Sequence, residues 1–370
     1  MIGRRLWDRC IHHRGLETHQ FIADYFGKRS SRALLIAGLG FDPRSTTVIE
    51  SLSTKMGDRL TSVLIREDRP DPASELLRRA SLNRDRISML APGFNEAGID
   101  VFASDGAVVG GRNAALAISA LDLDGYDDVI VDFSALSVGI SFPIARWLYE
   151  RAKDINPPLN VHLMVIDEPS TDEQVFATIC DIVDAIHGFK GGLGLFDNAN
   201  AARLWLPQLT KGRNTVLGRI HTRISPHDVC PILPFPSTHP RLVDELIESY
   251  SSEIESVWGV DTRNIVYADE NKPLDLYRTI LRIDDARRPV FQETGGSMIV
   301  LSPVGSKVLA IGALMAALER GFPVVNVEAI GYQVDFEKLD FERTACGDVV
   351  HIWLYGDVYP KNAESEAPEP

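Results

Sequence analysis

The sequence predicts an α/β protein of two Rossmann-like lobes with mostly parallel sheets, and three observations carry that expectation. Apolar runs alternate with helix-like segments across residues 30–170 and again across 255–356, the pattern of a parallel sheet covered on both faces. Between them the alternation fails: Cys230-Pro-Ile-Leu-Pro-Phe-Pro236-Ser-Thr-His-Pro240 holds too many prolines for a regular helix and reads as an extended connection. One unit also recurs. Residues 129–150 and 298–319 each read as strand, Ser-bearing turn and helix, and they align without a gap so that Ser137 falls opposite Ser306.

The organisation follows from this: a helical leader over 1–29, lobes over 30–170 and 255–356, a helical and Pro-rich connection over 171–254, and a disordered tail over 357–370. The leader carries Trp7, Phe21, Ile22 and Tyr25 on one side, with the adjacent His12 and His13 read as surface residues. The first strand, Arg32-Ala-Leu-Leu-Ile-Ala-Gly38-Leu-Gly40-Phe-Asp42-Pro-Arg44, ends in a Gly-x-Gly turn where a doubly wound sheet holds its ligand loop. A second strand ends at Arg66-Glu67-Asp68, and Asp85-Arg-Ile-Ser-Met-Leu-Ala reads as a shorter third. Val129-Ile-Val-Asp132-Phe-Ser134-Ala-Leu-Ser137 is strand and turn, and a further strand ends in Asp167-Glu168. Residues 172–186 read as an amphipathic helix and 351–356 as an edge strand. In the second half, Met298-Ile-Val-Leu-Ser302-Pro-Val-Gly305-Ser306-Lys307 is an apolar strand, a tight turn and the start of an Ala-rich helix.

That turn has the makings of an anion site. The first turn of a helix presents unpaired N–H groups and the positive end of its dipole, Gly305 lets the backbone approach, and Ser302, Ser306 and Lys307 add hydroxyls and a cation. Together with Gly38, Gly40, Asp42, Arg44, Ser134 and Ser137, these are the candidate ligand-binding residues. The carboxylates Asp167-Glu168, Asp269-Glu270 and Glu328 near strand ends suit general-base work or magnesium binding, and equally helix capping or a solvated loop. No nucleophile elbow, Walker loop or zinc-ligand spacing occurs, so binding takes precedence over catalysis.

Composition narrows the partners. A formal net charge of −14 argues against an extended nucleic acid, though a local basic pocket can still hold a small phosphorylated ligand. No apolar run approaches the roughly 20 residues of a membrane span. Four scattered cysteines, with no Cys-x-x-Cys pair, fit a reducing cytoplasm and no metal site.

Gly305-Ser306-Lys307, followed by Leu309, Gly312 and Ala313, resembles the second ligand loop of CRISPR-associated Rossmann fold (CARF) sensors, and a two-lobed chain is similar to the related SAVED sensors. The resemblance implies a sensor role in antiviral defence: recognition of a nucleotide second messenger such as a cyclic oligonucleotide, phosphates at Ser306 and Lys307, and an effector protein as partner. The sequence departs from that pattern at Ser302-Pro303 and has no recognisable effector domain. Gly38-Leu-Gly40-Phe-Asp42-Pro-Arg44 instead resembles the loop of leucine carboxyl methyltransferase-type enzymes, which implies an S-adenosylmethionine- or dinucleotide-dependent enzyme with Glu67 or Asp68 at the cofactor ribose.

Overall fold

The computed structural model describes residues 5–190, 201–338 and 347–359. Its first lobe is built on a seven-stranded sheet. In chain order the strands are β1 (His12–Arg14), β2 (Ala33–Gly38), β3 (Leu60–Asp68), β4 (Asn95–Asp100), β5 (Asp128–Asp132) and β6 (Asn160–Asp167). The helices between them are α1 (Leu16–Phe21), α2 (Thr47–Met56), α3 (Ser74–Leu90), α4 (Gly110–Ser119) and α5 (Val138–Asp154). β4-β3-β2-β5-β6 lie parallel in that spatial order, so the direction of winding reverses between β2 and β5. A crevice for ligand opens at such a reversal, beyond the carboxyl ends of the two strands.

Alternate residues of β2 explain why it reads as an unbroken apolar run. Leu34 and Ile36 join the core beneath α4 and α5, while Ala33, Leu35 and Ala37 join the core beneath α2 and Phe26. Both faces are covered, so no polar face is needed.

The second lobe repeats the plan. It comprises α6 (Pro169–Asp172), β7 (Val175–Ala185), β8 (Ala202–Pro207), α7 (Asn214–Ile224), β9 (Asp228–Val229), β10 (Ile232–Pro234), α8 (Leu242–Ser249), β11 (Val266–Ala268), α9 (Pro273–Phe291), β12 (Ser297–Ser302), α10 (Lys307–Arg320) and β13 (Val325–Val334). β12-β8-β9 and β10-β11 are parallel; the isolated bridge Gln208↔Ile232 joins the end of β8 to β10, and Leu301↔Val324 ties β12 to the residue before β13. Winding reverses here between β8 and β12, the counterpart of β2 and β5.

The lobes are not independent bodies. Ile144 and Leu148 of α5 and Ile311, Leu314 and Met315 of α10 belong to one continuous buried cluster, so the two equivalent helices form the seam. Gly312 lets α10 close on α9, since a methyl there would collide with the Pro273 carbonyl oxygen. β14 (Asp348–Tyr355) then returns to the first sheet, antiparallel to both β6 and β1. No described helix is long and apolar enough to cross a membrane.

Five segments differ from the sequence expectation. Residues 85–91, expected as a strand, are the end of α3, whose register is fixed by Leu76 and Ile87 facing the core and by Glu75 pairing with Arg78 and Arg79 one turn on. Residues 172–186, expected as a helix, are mostly strand β7, which pairs antiparallel with β13 along almost its whole length. The leader contributes a strand, β1, before a short helix. The expected edge strand at 351–356 lies inside the sheet between β1 and β6. The Pro-rich stretch, read as a connection, supplies β10 of the second lobe's sheet. Of the expected tail, residues 360–370 lie outside the described residues.

Candidate ligand-binding site

The carboxyl ends of β2 and β5 come together because Gly38 has no side chain. A Cβ on Gly38 would lie 2.7 Å from the carbonyl carbon and oxygen of Ala135. Gly40, by contrast, faces no heavy atom within 4 Å of where its Cβ would stand. Asp42 caps the 3₁₀ turn Pro43–Thr46, its Oδ1 accepting the Arg44 N–H at 2.9 Å. Its carboxylate is also gripped by the Arg44 side chain, with Nη2 to Oδ2 at 2.7 Å. Asp172 of α6 holds the same Nη2 at 2.8 Å. Burial would lower the Arg44 guanidinium, but Asp172 and Asp42 outweigh it and hold its pKa well above the ordinary value. Nη1 of this buried arginine has no hydrogen-bond partner.

At the end of β5, Asp132 Oδ1 accepts the backbone N–H of Ser134 at 2.9 Å and its hydroxyl at 2.5 Å, while Oδ2 is buried without a partner. Burial pushes the Asp132 carboxyl up to about 6 against these hydrogen bonds. The Ser134 hydroxyl in turn accepts the Ile166 N–H, tying the loop to β6.

Lys307, the first residue of α10, crosses from the other lobe, and its Nζ donates to the Ser134 carbonyl. Burial and the nearby Arg44 pull its pKa below the usual lysine range, opposed by Asp42, Asp172 and Glu67. Ser306 caps α10, its hydroxyl accepting the Leu309 N–H at 3.2 Å. Ser302 is wholly buried, and its hydroxyl accepts the Trp205 indole N–H at 2.9 Å. Gly305 lies against Gln208, whose Oε1 is buried without a partner and would be 3.2 Å from a Cβ at Gly305.

Ser137 caps the equivalent helix α5 from extended backbone, but its hydroxyl is unpartnered and its N–H donates to Glu67 Oε1 at 2.7 Å. Arg69 then bridges the lobes: its Nη2 meets Glu67 Oε2 at 2.6 Å and Glu328 Oε1 at 2.8 Å. Glu328 sits at an irregularity in the β7–β13 register, between Val327 and Ala329, with Oε2 against Gly139 in the first turn of α5. Burial raises its pKa, and Arg69 opposes the shift.

Gly38, Asp42, Arg44, Ser134 and Lys307 therefore meet at one place, with Ser137 and Gly305 beside it; Ser302 and Ser306 serve a core contact and a cap. Asp42–Arg44 is a capped turn closed by its own ion pair. Sequence reasoning missed Asp132, Asp172, Arg69 and Gln208. Asp132 ends an apolar run and could have been flagged, whereas Arg69 and Asp172 gain meaning only from pairing across the fold. Among the described residues no cluster of His, Cys, Asp and Glu is arranged to hold a metal ion. An open concavity of about 910 Å³ between β7 and α7, lined by Asp181, Asp184 and Arg219, lies apart from this cluster.

The chain matches no protein-family model and no curated protein. Among solved structures it is similar to the glycopeptide N-methyltransferase MtfA complexed with sinefungin, at 13% identity over 45% of this chain and 60% of that one, with a TM-score of 0.23. It is also similar to a universal stress protein from Archaeoglobus fulgidus DSM 4304, at 10% identity over 80% of this chain and 96% of that one, TM-score 0.24. A UDP-N-acetylglucosamine 2-epimerase from Listeria monocytogenes is similar at 10% identity over 90% and 94% of the two chains, TM-score 0.25. At these scores the likenesses carry no argument about ligand or chemistry.

Proposed function

We propose that the chain binds a small phosphorylated ligand, a nucleotide second messenger of the kind sensed by CARF- and SAVED-like proteins, where the two winding reversals face each other. The observation that carries this reading is Lys307 standing in the crevice of the opposite lobe beside an arginine with a free, buried N–H donor. Buried polar groups are ordinarily paired, so the unpartnered Arg44 Nη1, Asp132 Oδ2, Ser137 Oγ and Gln208 Oε1 point to a polar guest.

Of the two equivalent helix ends, α10 is the better seat for phosphate. The first turn of α5 already receives Glu67, with Glu328 close by, whereas α10's receives its own Ser306 hydroxyl. A phosphate there takes Lys307 from the Ser134 carbonyl, exchanging a neutral acceptor for a charged one. The recognition event then moves a contact that spans the lobes, which is the property a sensor needs.

The enzyme reading has one observation in its favour, the unobstructed Gly40. Against it, both carboxylates expected at a cofactor ribose are already engaged, Glu67 by Ser137 and Arg69 and Asp68 by Arg66. Thermal-shift screening against cyclic oligonucleotides, ATP, NAD and S-adenosylmethionine separates the two, because a ligand that binds only the native state raises the melting temperature by mass action. Stabilisation by a cyclic oligonucleotide supports the sensor. Stabilisation by S-adenosylmethionine alone, lost in Asp42→Ala, replaces it with the enzyme.

A further inference from the structure

On the far edge of the first sheet, away from the lobe interface, four titratable side chains from four strands touch in series. His13 Nδ1 of β1 lies 3.0 Å from His351 Nδ1 of β14, His351 Nε2 lies 3.0 Å from His162 Nδ1 of β6, and His162 Nε2 lies 3.2 Å from Asp128 Oδ1 of β5. His162, His351 and Asp128 are fully buried, and His13 is partly exposed. Phe21 of the N-terminal segment stacks on both His13 and His351, at centroid distances of 4.6 and 4.3 Å. Tyr25, also from that segment, donates its hydroxyl to Asp128 at 2.9 Å.

With Asp128 ionised, the contacts imply one arrangement of protons. An ionised carboxylate only accepts, so His162 carries hydrogen on Nε2 and, being neutral, accepts at Nδ1. His351 must then donate from Nε2 and accept at Nδ1, and His13 must donate from Nδ1, leaving Nε2 as a lone pair toward the outside. One added proton fits without breaking a contact. It binds His13 Nε2, the Nδ1 proton of His13 passes to His351 Nδ1, and the Nε2 proton of His351 passes to His162 Nδ1. The net result is one proton gained, held as a His162 imidazolium against the Asp128 carboxylate. A second proton has no such place, because it sets two N–H groups against each other.

We propose that Asp128, His162, His351 and His13 form a proton relay that latches residues 12–26 onto the sheet, accepting one proton from solvent and releasing the segment on a second. The other charged or titratable groups facing it are His12 of β1, Glu17 of α1, Arg29 after the segment and Asp357 after β14. Burial holds all three histidines below the ordinary imidazole range, His351 well below it. With the segment undocked, the histidines therefore bind protons more readily than with it docked, and docking weakens as pH falls below the ordinary value of 6.5.

The test is nitrogen-15 NMR of histidine-labelled protein, with the signals assigned by single variants, alongside amide exchange across residues 12–26. Near pH 7.5 the expected tautomers are Nε2–H for His162 and His351 and Nδ1–H for His13, and on acidification the three titrate as one coupled system. Exchange in 12–26, corrected for intrinsic rates, should rise about tenfold or more before the rest of the sheet opens. His13→Asn keeps an N–H donor toward His351 but cannot pass a proton, so it should stay docked at neutral pH and open at lower pH than the parent. Any other tautomer pattern, three independent midpoints, or the same acid profile in His13→Asn overturns the relay. The wild-type tautomers decide the matter even if that variant does not fold.

Discussion

Removing Arg69 should cost the fold heavily, because it is a buried cation shared by two largely buried carboxylates. Only 6% of it is exposed, and its partners Glu67 and Glu328 are 13% and 8% exposed. Its Nη1 also donates to the Ala329 carbonyl, and the guanidinium stacks over Tyr332 at 5.2 Å. Arg69→Ala leaves two facing carboxylates with no cation between them, a change that typically costs about 3–5 kcal/mol when the site is buried. The loss depends on pH. Glu328 already titrates above the unfolded value of 4.5, because burial and Glu67 raise it against Arg69, and without Arg69 it rises further. A carboxyl whose folded pKa is raised takes its proton preferentially in the folded state, so stability is gained as pH falls through that value. The deficit should therefore shrink to about 2 kcal/mol near pH 5, where the lost hydrogen bonds and ring contact remain. Guanidinium unfolding at both pH values measures it, and Arg69→Ala/Glu328→Gln should recover about half the neutral-pH loss. A deficit below about 1 kcal/mol, or one equal at both pH values, would mean the cluster is solvated and the lobes are not pinned here.

The other predictions follow from equally local geometry. Gly38→Ala should destabilise by about 1–3 kcal/mol through its collision with Ala135, whereas Gly40→Ala should stay within about 0.5 kcal/mol, as paired melting curves will report. Gly312→Ala should lower the melting temperature although alanine favours helix by about 1 kcal/mol, since the Pro273 carbonyl occupies the methyl's place; an unchanged or higher value would mean α9 gives way freely. Because the Asp132 carboxyl sits at about 6 against an ordinary 3.8, the folded protein holds that proton more tightly than the unfolded chain. Wild type should thus gain stability relative to Asp132→Asn as pH falls from about 7 to about 5, and parallel profiles would contradict the burial argument.

Where local pattern and tertiary role coincide, the sequence could be read. The run ending at Ser302, the break at Gly305 and the helix from Lys307 are all punctuated by residues whose conformational preferences point one way, and Ser137 and Ser306 both stand at the N-cap position of equivalent helices. β7 was harder, because its solvent-facing Asp181 and Asp184 and inward Cys180 fit a helical wheel until β13 pairs with it. β8 was hidden by its proline, since Pro207 ends a strand that is central and not an edge. The charged core of the site left no trace in sequence order. Arg69 and Glu328 are 259 residues apart, and only β13, paired with β7, brings them together. The histidine series was equally hidden: His13 meets His351 only once β1 pairs with β14.

The central claim is that Lys307 belongs to a ligand and not to a turn. Its decisive measurement is calorimetric affinity for whichever cyclic oligonucleotide stabilises the wild type, repeated on Lys307→Ala with the fold verified by circular dichroism. Loss of a charge-assisted contact predicts binding weaker by about 1.5–3 kcal/mol, roughly ten- to a hundredfold. Equal affinity in a folded Lys307→Ala protein would contradict the claim and leave the Ser134 carbonyl as that lysine's whole purpose.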